Sequence, residues 1–88
     1  MKRKQGFEIV QIAGEYLLIP TDGVSACGGR TIVLNEVSAF VLNTLRVDTG
    51  KEVLVDALLR EYDVPREVAQ ADLDRLLDTF WQLGLVEP

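Results

Sequence analysis

The chain has 88 residues, 48% of them hydrophobic and 26% charged, and its net charge is -5. That leaves room for one small core, so a single domain over residues 1–88 is expected, and the hydrophobic fraction argues against disorder. Histidine is absent and Cys27 is the one cysteine, which removes Ser-His and Cys-His nucleophiles, histidine metal sites, internal disulfides and cysteine zinc clusters together.

Lys2-Arg3-Lys4 is a basic tip like the start of a signal peptide. Glu8, Gln11 and Glu15 interrupt the apolar run that a signal needs, and no run approaches eighteen apolar residues. A cytoplasmic setting is expected, and a small chain without disulfides suits it. Residues 7–13 are β-branched and aromatic-rich and read as a strand. Residues 15–19 read as a second, stopped by Pro20, with Gly14 marking a tight hairpin between them. Alternation is imperfect, because Ile9 lies on one face and Val10 and Ile12 on the other. Residues 21–29 read as a loop, with the turn pair Asp22-Gly23 and the loose run Cys27-Gly28-Gly29. Arg30, Thr31, Ile32, Val33 and Leu34 form a third short strand. It is last in the meander, so one of its edges is left unpaired.

Three helices follow. Asn35 is a good N-cap, and Val37, Phe40, Val41 and Leu45 recur at helical spacing. Thr49-Gly50-Lys51-Glu52 fits a capping box, with Thr49 at the N-cap of a second helix. Leu54, Leu58 and Tyr62 are its buried stripe. Pro65 stands at the first position of a third helix that runs to about Leu83. Ala69, Leu73, Leu76, Phe80 and Leu83 form its apolar stripe, and Gly84 ends it in a left-handed cap. The order is three strands and then three helices. The expected fold is therefore α+β: a three-stranded antiparallel sheet packed by helices, with the last two helices arranged like a winged helix-turn-helix.

The candidate chemical groups are sparse. Asp74 and Asp78 lie four apart on the third helix and share a face, but a solvated helix face explains them more simply than acid-base work. Asp72, Arg75 and Thr79 form a polar flank beside the apolar stripe. Cys27 has no histidine to activate it, and Gly28-Gly29 lacks the lysine of a phosphate loop. Trp81 is a cap on the core edge or an anchor for a partner. The winged-helix outline is familiar in DNA reading, yet residues 1–46 hold five basic and four acidic side chains while residues 47–88 hold four basic and ten acidic. The acidic half repels phosphate. What fits better is a groove. The free edge of the third strand can accept an extended peptide as an added strand, with the third helix as the second wall.

The run Leu34-Asn35-Glu36-Val37-Ser38-Ala39-Phe40-Val41-Leu42 resembles the "LN-x-x-(S/G)-A-x-x-(L/I)" segment of the PqqD-like family. Residues 58–64 resemble its "L-x-x-x-Y-(D/G)-V" segment. Asp72-Leu73, Leu76-Leu77 and Gly84-Leu85-Val86 fit its third-helix pattern, with Phe80 where leucine is usual. The resemblance covers nearly the whole chain. It implies a non-catalytic recognition element for ribosomally made, post-translationally modified peptides, with no cofactor of its own. Such an element binds the leader segment of a precursor peptide by strand addition to the third strand. It then presents the peptide to a modifying enzyme such as a radical S-adenosylmethionine enzyme or a leader peptidase. Carried over, the peptide-binding residues are Arg30, Thr31, Ile32, Val33 and Leu34 on the strand. The helix contributes Val68, Asp72, Arg75, Leu76 and Thr79. The pathway is left open, from pyrroloquinoline quinone synthesis to lasso peptides.

The competing readings are a small winged-helix DNA-binding regulator, a structural subunit of a larger enzyme, and, last, an independent enzyme. Neither a membrane nor nucleic acid is the expected partner. The unpaired strand edge also permits a homodimer.

Overall fold

Two residues set the geometry of the first hairpin. Ala13 and Gly14 both take positive φ, at 52° and 81°, the pattern of a two-residue type I′ turn whose twist matches that of its strands. In the computed structural model, which describes residues 1–21 and 30–88, the order begins with β1 (Lys2–Arg3), β2 (Phe7–Ile12), β3 (Glu15–Pro20) and β4 (Ile32–Leu34). The helices α1 (Glu36–Thr44), α2 (Lys51–Glu61) and α3 (Arg66–Gln82) follow, and β5 (Val86–Glu87) closes the chain. The antiparallel sheet has the order β2-β3-β4, and β1 pairs with β5 in a separate two-stranded ribbon. The α+β architecture read from the sequence is therefore present, with a ribbon added to it.

One face of the sheet covers the helices. Phe7, Ile9, Leu18, Ile32 and Leu34 lie on that face and join a core with Leu42, Leu45, Leu54, Leu58, Leu73 and Phe80. The opposite face carries Val10, Ile12, Leu17, Ile19 and Val33 by the same register. That is why alternation is imperfect in the sequence: the strands are apolar on both sides.

The third strand is shorter than the sequence predicts. It begins at Ile32, so Arg30 and Thr31 precede it. The register pairs Tyr16 with Leu34 and Leu18 with Ile32, so position 30 would fall opposite Pro20. Proline has no N–H to give, and the ladder ends one hydrogen-bonded pair earlier, at Leu18 and Ile32.

Asn35 caps α1 as expected, its Oδ1 accepting from the Ser38 N–H at 2.8 Å. The capping box at Thr49 does not form. Gly50 is the N-cap, with no side-chain bond, because the Thr49 hydroxyl donates instead to the Val47 carbonyl at 2.9 Å. Pro65 is the N-cap of α3 rather than its first residue. Leu77 is buried on α3, while Leu76 is half-buried, so the core stripe is Ala69, Leu73, Leu77 and Phe80. The C-terminus of α3 follows the sequence reading closely. Gly84 takes φ 73°, its N–H bonds the Trp81 carbonyl at 3.1 Å, and the Leu85 N–H bonds the Phe80 carbonyl at 2.9 Å. Those two bonds are a Schellman motif. It turns buried Leu85 and Val86 back to make β5. The loop features at Asp22-Gly23, Cys27 and Gly28-Gly29 lie outside the described residues.

Candidate functional site

Among the described residues the sheet ends at β4, which has β3 as its one neighbour. Which of its backbone groups are free follows from the register. The Thr21 N–H donates to the Gly6 carbonyl at 2.8 Å, so that pair is hydrogen-bonded. Hydrogen-bonded and non-hydrogen-bonded pairs alternate along an antiparallel ladder. Phe7 and Pro20 are then a non-bonded pair, which proline tolerates, and Ile12 and Glu15 are a bonded pair, as closure of a two-residue hairpin needs. Glu15, Leu17 and Ile19 thus turn their backbone groups to β2, and Tyr16 and Leu18 turn theirs to β4. It follows that Ile32 and Leu34 bond to β3, and that Val33 offers its N–H and C=O outward. Its side chain is 64% exposed on the outer face of the sheet.

Beside this edge is a shallow cleft of about 280 Å³, lined by Asn35, Val37, Asp72, Arg75, Leu76 and Thr79. It joins the residues that follow β4 directly to one flank of α3. Half-buried Val37 and Leu76 pack against the core and form an apolar floor. At the rim, Arg75 pairs with Asp72, and the Thr79 hydroxyl donates to the Arg75 carbonyl at 3.1 Å. The rim ions are thus paired with each other at a solvated surface. Such a pair contributes a few tenths of a kcal/mol to the fold, and a bound chain can replace either partner at little cost.

Of the helix residues read from the sequence, Asp72, Arg75, Leu76 and Thr79 meet in this cleft. Val68 lies a turn earlier and is 44% exposed outside it. Arg30 and Thr31 are exposed before the strand begins. Sequence reasoning missed Asn35 and Val37 as lining. Asn35 was read as a cap and Val37 as core, and both roles are real; their position directly after an edge strand was the available signal.

The other candidates do not come together. Asp74 pairs with Lys51, and Asp78 accepts from the Gln82 amide at 3.2 Å, so the two carboxylates serve different partners. Among the described residues no group of three His, Cys, Asp or Glu side chains is placed to hold a metal, and no helix is long and apolar enough to cross a membrane. Trp81 is 45% exposed. A second cleft, between α1, β3 and the end of α2, holds Phe40 and Tyr62 edge to face at 5.9 Å. Burial, and then the nearby Glu36 and Glu61, raise the Tyr62 phenol above its ordinary value.

Comparison with known proteins adds four findings. The family model for coenzyme PQQ synthesis protein D (PqqD) matches residues 15–86. Among solved structures, the chain is similar to TbiB1 in complex with the TbiA(beta) leader peptide. The TM-score is 0.76 and the identity 24%, over 100% of this chain and 98% of that one. It is similar also to a lasso peptide synthetase B1 complexed with the leader peptide. Here the TM-score is 0.75 and the identity 20%, over 99% and 96%. A stretch of 77 residues is 30% identical to tau-cadinol synthase of Zea mays, covering 88% of this chain and 14% of that protein. The chain therefore spans about one-seventh of the length of that curated relative.

Proposed function

The chain belongs to the coenzyme PQQ synthesis protein D family, and on that premise we propose that it is a peptide chaperone. It binds the leader segment of a ribosomally made precursor peptide and delivers it to a modifying enzyme. The observation that carries this reading is the outward-facing backbone of Val33 on an edge that no described segment pairs, beside a cleft with an apolar floor. A leader added antiparallel or parallel to β4 would exchange hydrogen bonds with Val33. Its alternate side chains would fall toward Val37 and Leu76. Asp72, Arg75 and Thr79 would read polar leader residues at the rim. Arg30, Thr31 and Val68 would extend the contact at its two ends.

The reading requires no catalytic residue. It draws support from the two similar solved structures, both of which are complexes with leader peptides. The onward partner that the family resemblance implies is a peptide-modifying enzyme or a leader peptidase, and a cytoplasmic setting suits that exchange. A DNA-reading role has less physical support, since α3 carries Glu67, Asp72, Asp74 and Asp78 against Arg66 and Arg75.

The test is a titration of the whole chain with the leader of a precursor peptide encoded beside its gene, followed by amide NMR. Saturable shifts on residues 32–37 and 72–79 are expected. Val33→Pro removes an N–H that the fold does not use, so the chain should stay folded and bind at least about tenfold more weakly, the loss of one hydrogen bond of about 1.4 kcal/mol. Unchanged affinity in folded Val33→Pro would rule out strand addition at this edge.

A further inference from the structure

Another cleft lies elsewhere and is basic. It has a volume of about 590 Å³, and its lining includes Lys2, Arg3, Lys4 and Arg46 against Glu8 and Glu87. It shares no lining residue with the groove at β4. The ionic accounting there is incomplete. Lys2 lies 3.7 Å from Glu87. Glu8 is shared between two guanidinium groups, at 3.9 Å from Arg3 and 3.9 Å from Arg46, too far for a hydrogen bond to either. Among the described residues, Lys4 has no carboxylate partner.

Arg3 is the central feature. Its side chain is 9% exposed. Its Nη2 donates to the Phe7 carbonyl at 3.2 Å, and its guanidinium lies 4.8 Å from the centre of the Phe7 ring. Its Nη1 is buried with no acceptor. A buried, charged donor without a partner is rare and costly. Burial and then the like charge of Arg46 push the Arg3 guanidinium below its ordinary value, and Glu8 offsets only part of that.

We propose that this cleft is a carboxylate-binding site that takes an acidic side chain of a polypeptide partner between Arg3 and Arg46. The planar fork of arginine matches a carboxylate in two parallel hydrogen bonds. The two guanidinium groups already frame one carboxylate, Glu8, without reaching it. Glu8 is more than half exposed, so it can swing out when a better-placed carboxylate enters. The volume favours a polypeptide over a free ion, because a small oxyanion fills only a few waters' worth of space at about 30 Å³ each. The proposal stands whether or not the β4 groove binds a leader.

The experiment is an NMR titration of the whole chain with hexaglutamate, hexaglutamine and inorganic phosphate at matched ionic strength. Hexaglutamate should give saturable shifts in the amides of residues 3–8 and 46 and in the arginine Nε–H signals. Hexaglutamine should give none. Glu8→Gln removes the internal competitor and should tighten hexaglutamate binding about threefold, whereas Arg46→Gln should weaken it about tenfold. Both positions are more than half exposed, so both variants should keep the amide spectrum of the folded chain. The proposal is overturned if hexaglutamate leaves those residues unmoved, if phosphate alone binds there, or if both substitutions leave the affinity unchanged.

Discussion

β1 and β4 are both short strands, and they settle their backbone groups in opposite ways. β1 is held from two sides. It pairs with β5 on one. On the other, the Arg3 N–H donates to the Leu45 carbonyl at 2.9 Å, and the Thr49 N–H donates to the Met1 carbonyl at 2.7 Å. Among the described residues β4 is held by β3 alone. One strand is used to close the structure, and the other leaves its bonding capacity open. The difference does not come from composition, since the closing strand is the polar Lys2–Arg3 and the open one is the apolar Ile32–Leu34. Position decides: the chain turns back onto β1 at Gly84, and no described segment turns back onto β4.

The contrast can be broken from either end. Leu85 is fully buried and sits between the Gly84 cap and β5. Leu85→Ala should cost about 2–5 kcal/mol in urea unfolding; a cost below about 1 kcal/mol would mean that the ribbon is dispensable. Next in size, Ile32→Pro removes a bond to β3 and should cost about 2–3 kcal/mol. The neighbouring Val33→Pro should cost under about 1 kcal/mol and act on binding instead. Equal destabilisation by the two prolines would refute the assignment of Val33 as the outward residue. Ala13→Asn replaces an alanine held at φ 52° with a residue that tolerates positive φ. It should raise stability by about 0.5–1 kcal/mol with leader binding unchanged. The smallest effect is expected at the rim, where Arg75→Gln should change stability by less than about 0.5 kcal/mol. Its signature is in the leader titration, as a changed affinity with a weaker dependence on salt.

Much of this is legible in the sequence, and what is not has definite causes. Asn35 and Gly84 act within a turn of themselves, so local chemistry reveals them. The groove wall is legible as a set, because Asp72, Arg75, Leu76 and Thr79 share one helix flank. The floor at Val37 is not, since it depends on how α1 meets α3. Thr49 misleads because the preceding loop offers its hydroxyl a nearer carbonyl than the helix offers it an amide. The ribbon of β1 and β5 leaves no pattern at all: two residues have no periodicity, and their partners lie at the far end of the chain. Arg3 reads as part of a short basic tip, and only the fold lays it across Phe7.

Pro20 has a further consequence. A strand that is apolar on both faces gives up the usual penalty for sliding by one residue, because either set of side chains is acceptable in the core. β2 and β3 are such strands. In the observed register the missing donor of Pro20 points away from β2. A slip of one position would turn it toward β2 and leave a carbonyl there without its partner. Pro20 therefore acts as a key against the one-residue slip of the hairpin. By excluding that slip, it keeps the alternation that faces the Val33 amide outward at the open edge, and a residue that can donate nothing helps determine where donation is possible.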